Sequence, residues 1–177
     1  MVEGKGEPWL PQAAAYSLDT VIGFGSFGLV WKSTCLTGFH KEKKVAIKII
    51  DLEHFPSDSI QDIRREISIM SLSKHKNIIS EFISFVEFSY LWIVMPIIDA
   101  GSINDIMEIS KKSNKDFNGI KDEAVIATIL KFTVDGLLYL HQNGQVHRDV
   151  KAGNILLDTQ GNVYLSDFGV SATLKKG

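Results

Sequence analysis

Short apolar runs in the first hundred residues predict five β-strands. The apolar runs are short, rich in β-branched and aromatic residues, and separated by glycine or polar clusters. They span Ser17–Ile22, Leu29–Thr34, Val45–Ile50, Ile79–Val86 and Tyr90–Ile97. Because a glycine cluster separates the first two runs, they are expected to form a hairpin.

Helical periodicity begins between the third and fourth strands and dominates the second half of the chain. After the start signal Pro56–Asp58, apolar residues recur at spacings of three, four and three on one helical face: Ile60, Ile63, Ile67 and Met70. Further helices are predicted over Ser102–Ser110 and Glu123–His141, the latter apolar over most of its surface. Two short apolar runs follow, joined by a turn at Asp158–Asn162. The layout is therefore five strands and one helix, then a mainly helical region.

Composition excludes several classes of protein. With 45% hydrophobic and 23% charged residues, the chain resembles an average globular domain and not a disordered one. A net charge of −2 lacks the basic excess of a duplex-binding domain. The longest apolar run, Tyr90–Ile98, is too short to span a bilayer, and Met1–Gln12 has no apolar signal segment. Cys35 is the only cysteine, so a reducing, cytoplasmic location is expected.

The first candidate motif is a Gly-x-Gly-x-x-Gly pattern formed by Gly23, Gly25 and Gly28. In a dinucleotide-binding enzyme this pattern would open a helix, whereas Leu29 and Val30 here favour a strand. A hairpin whose glycines lie close to nucleotide phosphates is the better interpretation. A glycine-rich turn without a ligand is equally compatible with this segment alone.

Lys48 ends the short apolar segment Val45–Lys48 and is the second candidate. Such a lysine usually extends to the surface, but it could also bind nucleotide phosphates while a carboxylate holds it. Glu66 is the candidate carboxylate, because it lies beside the apolar face of the first predicted helix. An ordinary surface ion pair is the alternative.

The most specific motif is His147–Asn154, which follows the longest predicted helix. Its sequence is His-Arg-Asp-Val-Lys-Ala-Gly-Asn, and Asp167–Gly169, an Asp-Phe-Gly triplet, follows further along the chain. Each residue alone could be a turn or cap residue, but the ordered set matches the signature of protein kinases. A dinucleotide-binding enzyme that uses a nicotinamide cofactor, the alternative suggested by the glycine motif, would leave both of these motifs unexplained.

The sequence therefore resembles a eukaryotic protein kinase catalytic domain over roughly residues 16–174. Lys151, two residues after Asp149, resembles the serine/threonine pattern and not the tyrosine pattern. Leu91–Met95 and Ala127–Leu130 resemble the sterile-twenty-related group, and His147–Leu157 resembles most the oxidative-stress-responsive kinases. One departure from that subfamily is the regular glycine loop, which has all three glycines.

The resemblance implies an α+β, protein-kinase-like fold with a five-stranded antiparallel N-lobe, one helix and the start of a mainly helical C-lobe. The boundaries implied are a flexible leader over 1–15, the N-lobe and hinge over 16–98, and a C-terminally truncated C-lobe over 99–177, ending just after Asp-Phe-Gly. Because the peptide platform would follow residue 177, the chain alone is expected to have little activity. A non-catalytic nucleotide-binding or interaction fragment is the alternative function.

The resemblance also implies a role for each matching residue in phosphoryl transfer from ATP to a protein hydroxyl. Asp149 and Lys151 would be catalytic, and Asn154 and Asp167 would bind Mg²⁺. ATP would be bound by Ile22, Gly23, Gly25, Gly28, Val30, Ala46, Lys48, Glu66, Met95, Pro96, Ile98 and Leu156. The implied partners are a protein substrate and an upstream activating kinase, in intracellular signalling, without nucleic acid or a membrane span.

Two positions depart from the usual pattern of the family. Pro96 lies in the hinge after the gatekeeper Met95 and lacks an N–H, but it keeps the carbonyl that would accept from adenine, while Ile98 would donate. Glu81 matches a position that the family fills with an apolar residue. Either it is buried near Met70, where an isolated carboxylate is costly, or the strand is offset by one residue and Glu81 faces water.

Overall fold

A computed structural model describes residues 7–25, 28–53, 63–64, 67–68, 70–168 and 172–173 of the chain. The chain divides into two compact units. Unit 1 comprises Met1–Ile63 and Ser80–Ile97, and unit 2 comprises Arg64–Ile79 and Ile98–Gly177. Each unit has its own sheet and its own buried residues.

Unit 1 contains a five-stranded antiparallel sheet in the order β1-β2-β3-β5-β4. Its strands are β1 (Tyr16–Gly25), β2 (Gly28–Cys35), β3 (Lys44–Asp51), β4 (Ile83–Glu87) and β5 (Tyr90–Pro96). Gly25 pairs with Gly28 at the end of the β1–β2 ladder, so the predicted hairpin is confirmed. The predicted five-stranded antiparallel arrangement is confirmed as well.

The fourth strand differs from the prediction at its start. It was expected from Ile79 but begins at Ile83, because the Ile79 N–H donates to the Leu165 carbonyl at 3.0 Å within unit 2. Glu81 precedes the strand and is half-buried. Its exposure is therefore intermediate between the two predicted alternatives, a buried carboxylate and one that faces water. Its Oε1 accepts a hydrogen bond from the Ser84 hydroxyl at 3.5 Å.

The prediction of a flexible leader is wrong for residues 7–15, which pack on one face of the sheet. Trp9 is stacked between the rings of His40 and Phe82, with centroid distances of 3.9 Å and 4.4 Å. Ala13–Ala15 form a 3₁₀ turn, and Ala15 is completely buried. Trp9 and Leu10 pack against a core cluster of Ala15, Tyr16, Cys35, Val45, Ile47 and Val94. Sequence patterning missed this packing because it depends on contacts with distant strands.

The helix predicted between β3 and β4 is present in part of the described chain. Residues 63–64, 67–68 and 70–72 are helical. Ile63 and Met70 are both buried, as their positions on the predicted apolar face require. The start signal Pro56–Asp58, Ile60 and the candidate Glu66 lie outside the described residues.

Unit 2 contains two further helices and short strands. Helix α1 (Ile103–Ser113) begins at a capping box in which the Ser102 and Asp105 side chains bond to each other's backbone N–H. Helix α2 (Glu123–Gln142) begins at Asp122, which accepts from the N–H groups of Ala124 and Val125. The strands are β6 (Gly101–Ser102), β7 (Gln145–Val146), β8 (Ile155–Leu157), β9 (Val163–Leu165) and β10 (Ala172–Thr173), in sheets ordered β6-β8-β9 and β10-β7.

Helix α2 is packed on one face and exposed on another. A Cβ added at Gly136 would lie 2.9 Å from the Asn77 carbonyl oxygen, so glycine permits this close approach. Along the opposite face an apolar stripe is exposed, formed by Ile126, Leu130, Val134 and Leu138. By length and composition α2 could cross a membrane, a test that core helices of folded domains also pass.

Candidate active site

In unit 1, four candidate residues lie on one face of the sheet. In the ladder, Lys48 on β3 is opposite Val30 on β2, and Ala46 is opposite Met95 on β5. Since opposite residues and alternate residues share a face, these four residues lie together. The Lys48 residue is only 3% exposed, so it is not the surface lysine of the alternative interpretation. Its predicted partner Glu66 lies outside the described residues.

The candidate glycines lie at the end of the β1–β2 hairpin. Gly23 is opposite Val30, and Gly25 is opposite Gly28, while residues 26–27 are outside the description. A Cβ added at Gly28 would lie 2.1 Å from the carbonyl oxygen of Ile49 on β3. Gly28 therefore has a structural requirement, close backbone approach, that the motif alone did not indicate. The remaining candidate of this segment, Ile22 on β1, is exposed.

The candidate catalytic residues of unit 2 are joined by hydrogen bonds. The Lys151 ammonium donates to Asp149 Oδ2 at 2.7 Å. Asn154 Nδ2 donates both to the same carboxylate oxygen and to the Asp149 carbonyl, each at 2.9 Å. The side chains of Asp149 and Lys151 are 29% and 58% exposed, so both are accessible from solvent.

These contacts determine the charge state of the cluster. The hydrogen bonds from Lys151 and Asn154, with the nearby positive charge, hold the pKa of Asp149 below its ordinary value. The same carboxylate raises the pKa of Lys151. At neutral pH the pair is therefore ionised, with a carboxylate that accepts hydrogen bonds and an adjacent cation.

His147 fixes the backbone around this cluster, a role that sequence reasoning did not assign. It is 1% exposed, and its Nε2–H donates to the Ser166 carbonyl at 3.1 Å. Its Nδ1 accepts from the Asp149 N–H at 3.3 Å. Burial lowers the pKa of His147, which favours this neutral tautomer. The buried ring therefore joins the Asp149 loop to the segment before Asp167.

The backbone near the cluster is strained at two positions. Arg148 and Asp167 have φ values of 67° and 61°, in a region that costs a non-glycine residue about 1–3 kcal/mol. Phe168 follows Asp167, is completely buried and packs against His147 at a ring distance of 5.2 Å. Strain retained beside buried contacts is typical of functional sites. Gly169, the last residue of the motif, lies outside the described residues.

Asn154 and Asp167 are the candidate magnesium ligands. Asn154 is buried, and both donor bonds of its amide nitrogen go to Asp149, which orients the amide so that Oδ1 is the oxygen left for a cation. Asp167 supplies a second oxygen donor, of the kind that Mg²⁺ prefers. Within the described residues no group of three His, Cys, Asp or Glu side chains could hold a metal alone. Both donors are of the oxygen type that Mg²⁺ prefers, so the two residues fit a Mg²⁺ ion whose remaining ligands are other oxygens.

The hinge candidates lie at the end of β5 and in the segment that follows it. In unit 1, Met95 is buried, and Pro96 ends β5 opposite Val45. In unit 2, Ile98 accepts from the Gly101 N–H at 3.3 Å through its carbonyl. Leu156 lies half-buried on β8, opposite Ser102. Proline therefore occurs at a strand end, where its missing N–H is tolerated.

Comparisons with known proteins agree with this geometry. A family described as "Protein kinase domain" matches residues 16–177. Similar proteins include serine/threonine-protein kinase fray2 of Dictyostelium discoideum, 48% identical over 92% of this chain and 15% of its own length. Germinal center kinase 3 of Caenorhabditis elegans is 41% identical over 94% of the chain and 28% of its length. Serine/threonine-protein kinase fray1 of Dictyostelium discoideum is 38% identical over 93% of the chain and 27% of its own length. The chain thus spans less than a third of the length of these relatives.

Proposed function

Since the chain belongs to the protein kinase family and resembles serine/threonine kinases of the sterile-twenty type, we propose that it transfers the γ-phosphoryl group of Mg²⁺-ATP to protein serine or threonine. The observation that carries this proposal is the hydrogen-bonded cluster of Asp149, Lys151 and Asn154. In the proposed reaction, the cluster lies where the substrate hydroxyl attacks. The relatives are longer than this chain, so the activity of the whole protein is part of the proposal.

Asp149 is the proposed residue that orients the hydroxyl. With its pKa held low by Lys151 and Asn154, its carboxylate is a weak base at neutral pH. Such a group accepts a hydrogen bond from the hydroxyl and takes its proton late, which suits a loose transition state with little early proton transfer. The proposed role of Asp149 is therefore mainly positional.

Lys151 supplies positive charge at the same place. Its ammonium group donates to Asp149 at 2.7 Å and remains largely exposed, so it can also contact the oxygens of the transferring phosphoryl. Charge-assisted hydrogen bonds of this kind stabilise developing negative charge in the transition state. Lys151 also matches the serine/threonine pattern of the family, which supports a hydroxyl substrate on serine or threonine.

The proposed ATP-binding residues are assigned within each unit separately. In unit 1, Lys48 is proposed to bind the α- and β-phosphates, with Glu66 of unit 2 as its partner. The other proposed residues of unit 1 belong to the glycine loop, the hinge and the adenine contacts: Ile22, Gly23, Gly25, Gly28, Val30, Ala46, Met95 and Pro96. From unit 2 come Ile98 and Leu156. The shared face of Lys48, Val30, Ala46 and Met95 supports this assignment.

Asn154 and Asp167 are the proposed Mg²⁺ ligands. When bound, the ion would neutralise phosphate charge and align the β- and γ-phosphates. The chain's own contribution is the fixed orientation of the Asn154 amide and of the Asp167 backbone. His147 maintains both, because it joins the Asp149 N–H to the Ser166 carbonyl.

Partners and location follow from the same proposal. A protein substrate is required, and an upstream kinase would act through Arg148, whose side chain is of the type that binds phosphorylated residues. Arg148 is exposed, which is compatible with this contact. We place the protein in cytoplasmic signalling because the single cysteine, Cys35, forms no internal disulfide.

The binding step is tested by calorimetry of ATP with the purified chain, with Mg²⁺ and with a chelator. We expect tighter ATP binding with Mg²⁺, and loss of this enhancement in Asp167→Asn. Asp116→Asn, which changes an exposed carboxylate in the loop after α1, is the matched control. Absence of ATP binding by the wild-type chain, or full Mg²⁺ enhancement in Asp167→Asn, would contradict the proposal.

A further inference from the structure

A carboxylate just after the hinge is held by a residue far away in sequence. Both oxygens of Asp99 accept hydrogen bonds from Thr159, from the backbone N–H at 2.8 Å and from the hydroxyl at 2.9 Å. The two residues are 60 positions apart, and both belong to unit 2. One residue thus satisfies both carboxylate oxygens of the other, which fixes distance and orientation. We call this pair the Asp99–Thr159 clamp.

Thr159 belongs to a rigid turn between β8 and β9. Asp158 holds this turn through bonds from the N–H groups of Gln160 and Asn162, the Asn162 amide and the Tyr164 hydroxyl, at 2.8–3.1 Å. Gly161 has a φ of 85°, a conformation that favours glycine. Asp99 therefore binds to a preformed support and not to a mobile loop end.

Backbone hydrogen bonds extend the clamp along the same two segments. The Ala100 N–H donates to the Leu157 carbonyl at 3.1 Å, and β6 pairs with β8 so that Ser102 lies opposite Leu156. Asp99 directly follows Ile98, and Thr159 lies three residues after Leu156. The clamp therefore lies at the end of a short ladder between the two segments that carry Ile98 and Leu156, the proposed adenine-contact residues of unit 2.

We infer that Asp99 and Thr159 are positioning residues for adenine recognition, an inference that rests on the proposed function. In the proposed role, neither Asp99 nor Thr159 contacts the nucleotide. They hold Ile98 and Leu156 in fixed register before ATP binds. Preorganisation of this kind improves affinity because the ordering cost is met before binding. The hydrogen bonds from Thr159 also lower the pKa of Asp99, which keeps the carboxylate ionised at neutral pH.

The test measures binding of two probes, adenosine and Mg²⁺-tripolyphosphate, to the 177-residue chain. In Asp99→Ala we expect adenosine affinity to fall about three- to tenfold, as for loss of charge-assisted hydrogen bonds near the surface. Tripolyphosphate affinity should not change, because that probe has no base. A general loss of folding would weaken both probes, and Asp116→Ala, an exposed aspartate in the same unit, should weaken neither.

Thr159 variants test the clamp from its other side. Thr159→Val keeps the shape and the backbone N–H but removes the hydroxyl, so about a two- to threefold loss of adenosine affinity is expected. Thr159→Ser retains the hydroxyl and should restore wild-type affinity. In the Asp99→Ala background Thr159→Val should cause no further loss of adenosine affinity, because Asp99→Ala has already removed the hydrogen bond of the Thr159 hydroxyl.

The outcomes separate this inference from the proposed function. If wild-type chain binds both probes while Asp99→Ala binds adenosine normally, the inference is wrong and the proposed function stands. Additive losses from Asp99→Ala and Thr159→Val would also overturn it. If wild-type chain binds neither probe, the proposed function is wrong, and the inference fails with it.

Discussion

Removing the Trp9 side chain should destabilise unit 1, although Trp9 precedes the first strand. Its indole is stacked between the rings of His40 and Phe82, nearly parallel to both at interplanar angles of 13° and 12°. His40 comes from the loop between β2 and β3, and Phe82 lies just before β4. Trp9→Ala would therefore disconnect the N-terminal segment from two separate parts of the sheet.

The structure allows an estimate of the size of this effect. Complete burial of an aromatic side chain removes about 150–250 Å² from water, and Trp9 is half-buried. Burial of about 100 Å² at about 25 cal/mol per Å² gives about 2.5 kcal/mol. Stacking adds roughly 0.5–1.5 kcal/mol. We expect Trp9→Ala to lower the free energy of unfolding by about 3–4 kcal/mol.

Urea unfolding followed by far-ultraviolet circular dichroism measures this free energy without relying on tryptophan fluorescence. Phe88→Ala is the matched control, because Phe88 is 94% exposed in the β4–β5 turn and should change stability little. Unfolding of Trp9→Ala at the same urea concentration as wild type would refute the packing described for residues 7–15. It would restore the flexible leader that the sequence predicted.

Two further predictions concern unit 1. Gly28→Ala should lower the free energy of unfolding of unit 1 by about 1–3 kcal/mol in urea, because the added Cβ would meet the Ile49 carbonyl oxygen. Gly23→Ala is the control, since its added Cβ has only ordinary contacts at 3.7 Å. Equal losses of stability in the two variants would contradict this reasoning. Burial raises the pKa of Tyr16 from 10.0 to about 12, so its contribution to stability is complete below pH 10 and is lost as pH rises from about 10 to 12. Tyr16→Phe should make the alkaline decline in unfolding free energy shallower, and an identical decline would show that Tyr16 does not cause it.

Much of the fold could be predicted because it depends on local patterns. The β-rich apolar run Val45–Ile50 and the apolar pattern of Glu123–His141 correctly indicated a strand and a helix, since each pattern is complete within its own segment. The position of Trp9 could not be predicted in this way, because its partners are 31 and 73 residues away. The start of β4 was misplaced for the same reason, because Ile79 bonds with the distant residue Leu165.

The candidate site shows the same division. The spacing of Asp149, Lys151 and Asn154 was visible in sequence because all three belong to one motif, and the structure brings them within hydrogen-bond distance. The role of His147 was not visible in the sequence, because it depends on a hydrogen bond to the Ser166 carbonyl, 19 residues away. A buried histidine directly before the motif's Arg-Asp pair was the available signal, but burial itself required the fold.

The most direct test of the central claim is phosphoryl transfer to a generic serine/threonine substrate by the protein that carries this chain, measured with labelled ATP and Mg²⁺. We expect transfer to fall by several orders of magnitude in Asp149→Asn, because the carboxylate that orients the hydroxyl is lost. Lys48→Met should also abolish transfer, whereas Asp116→Asn and Lys41→Met, at exposed positions, should leave it unchanged. Undiminished transfer in Asp149→Asn would contradict the assignment of the catalytic cluster.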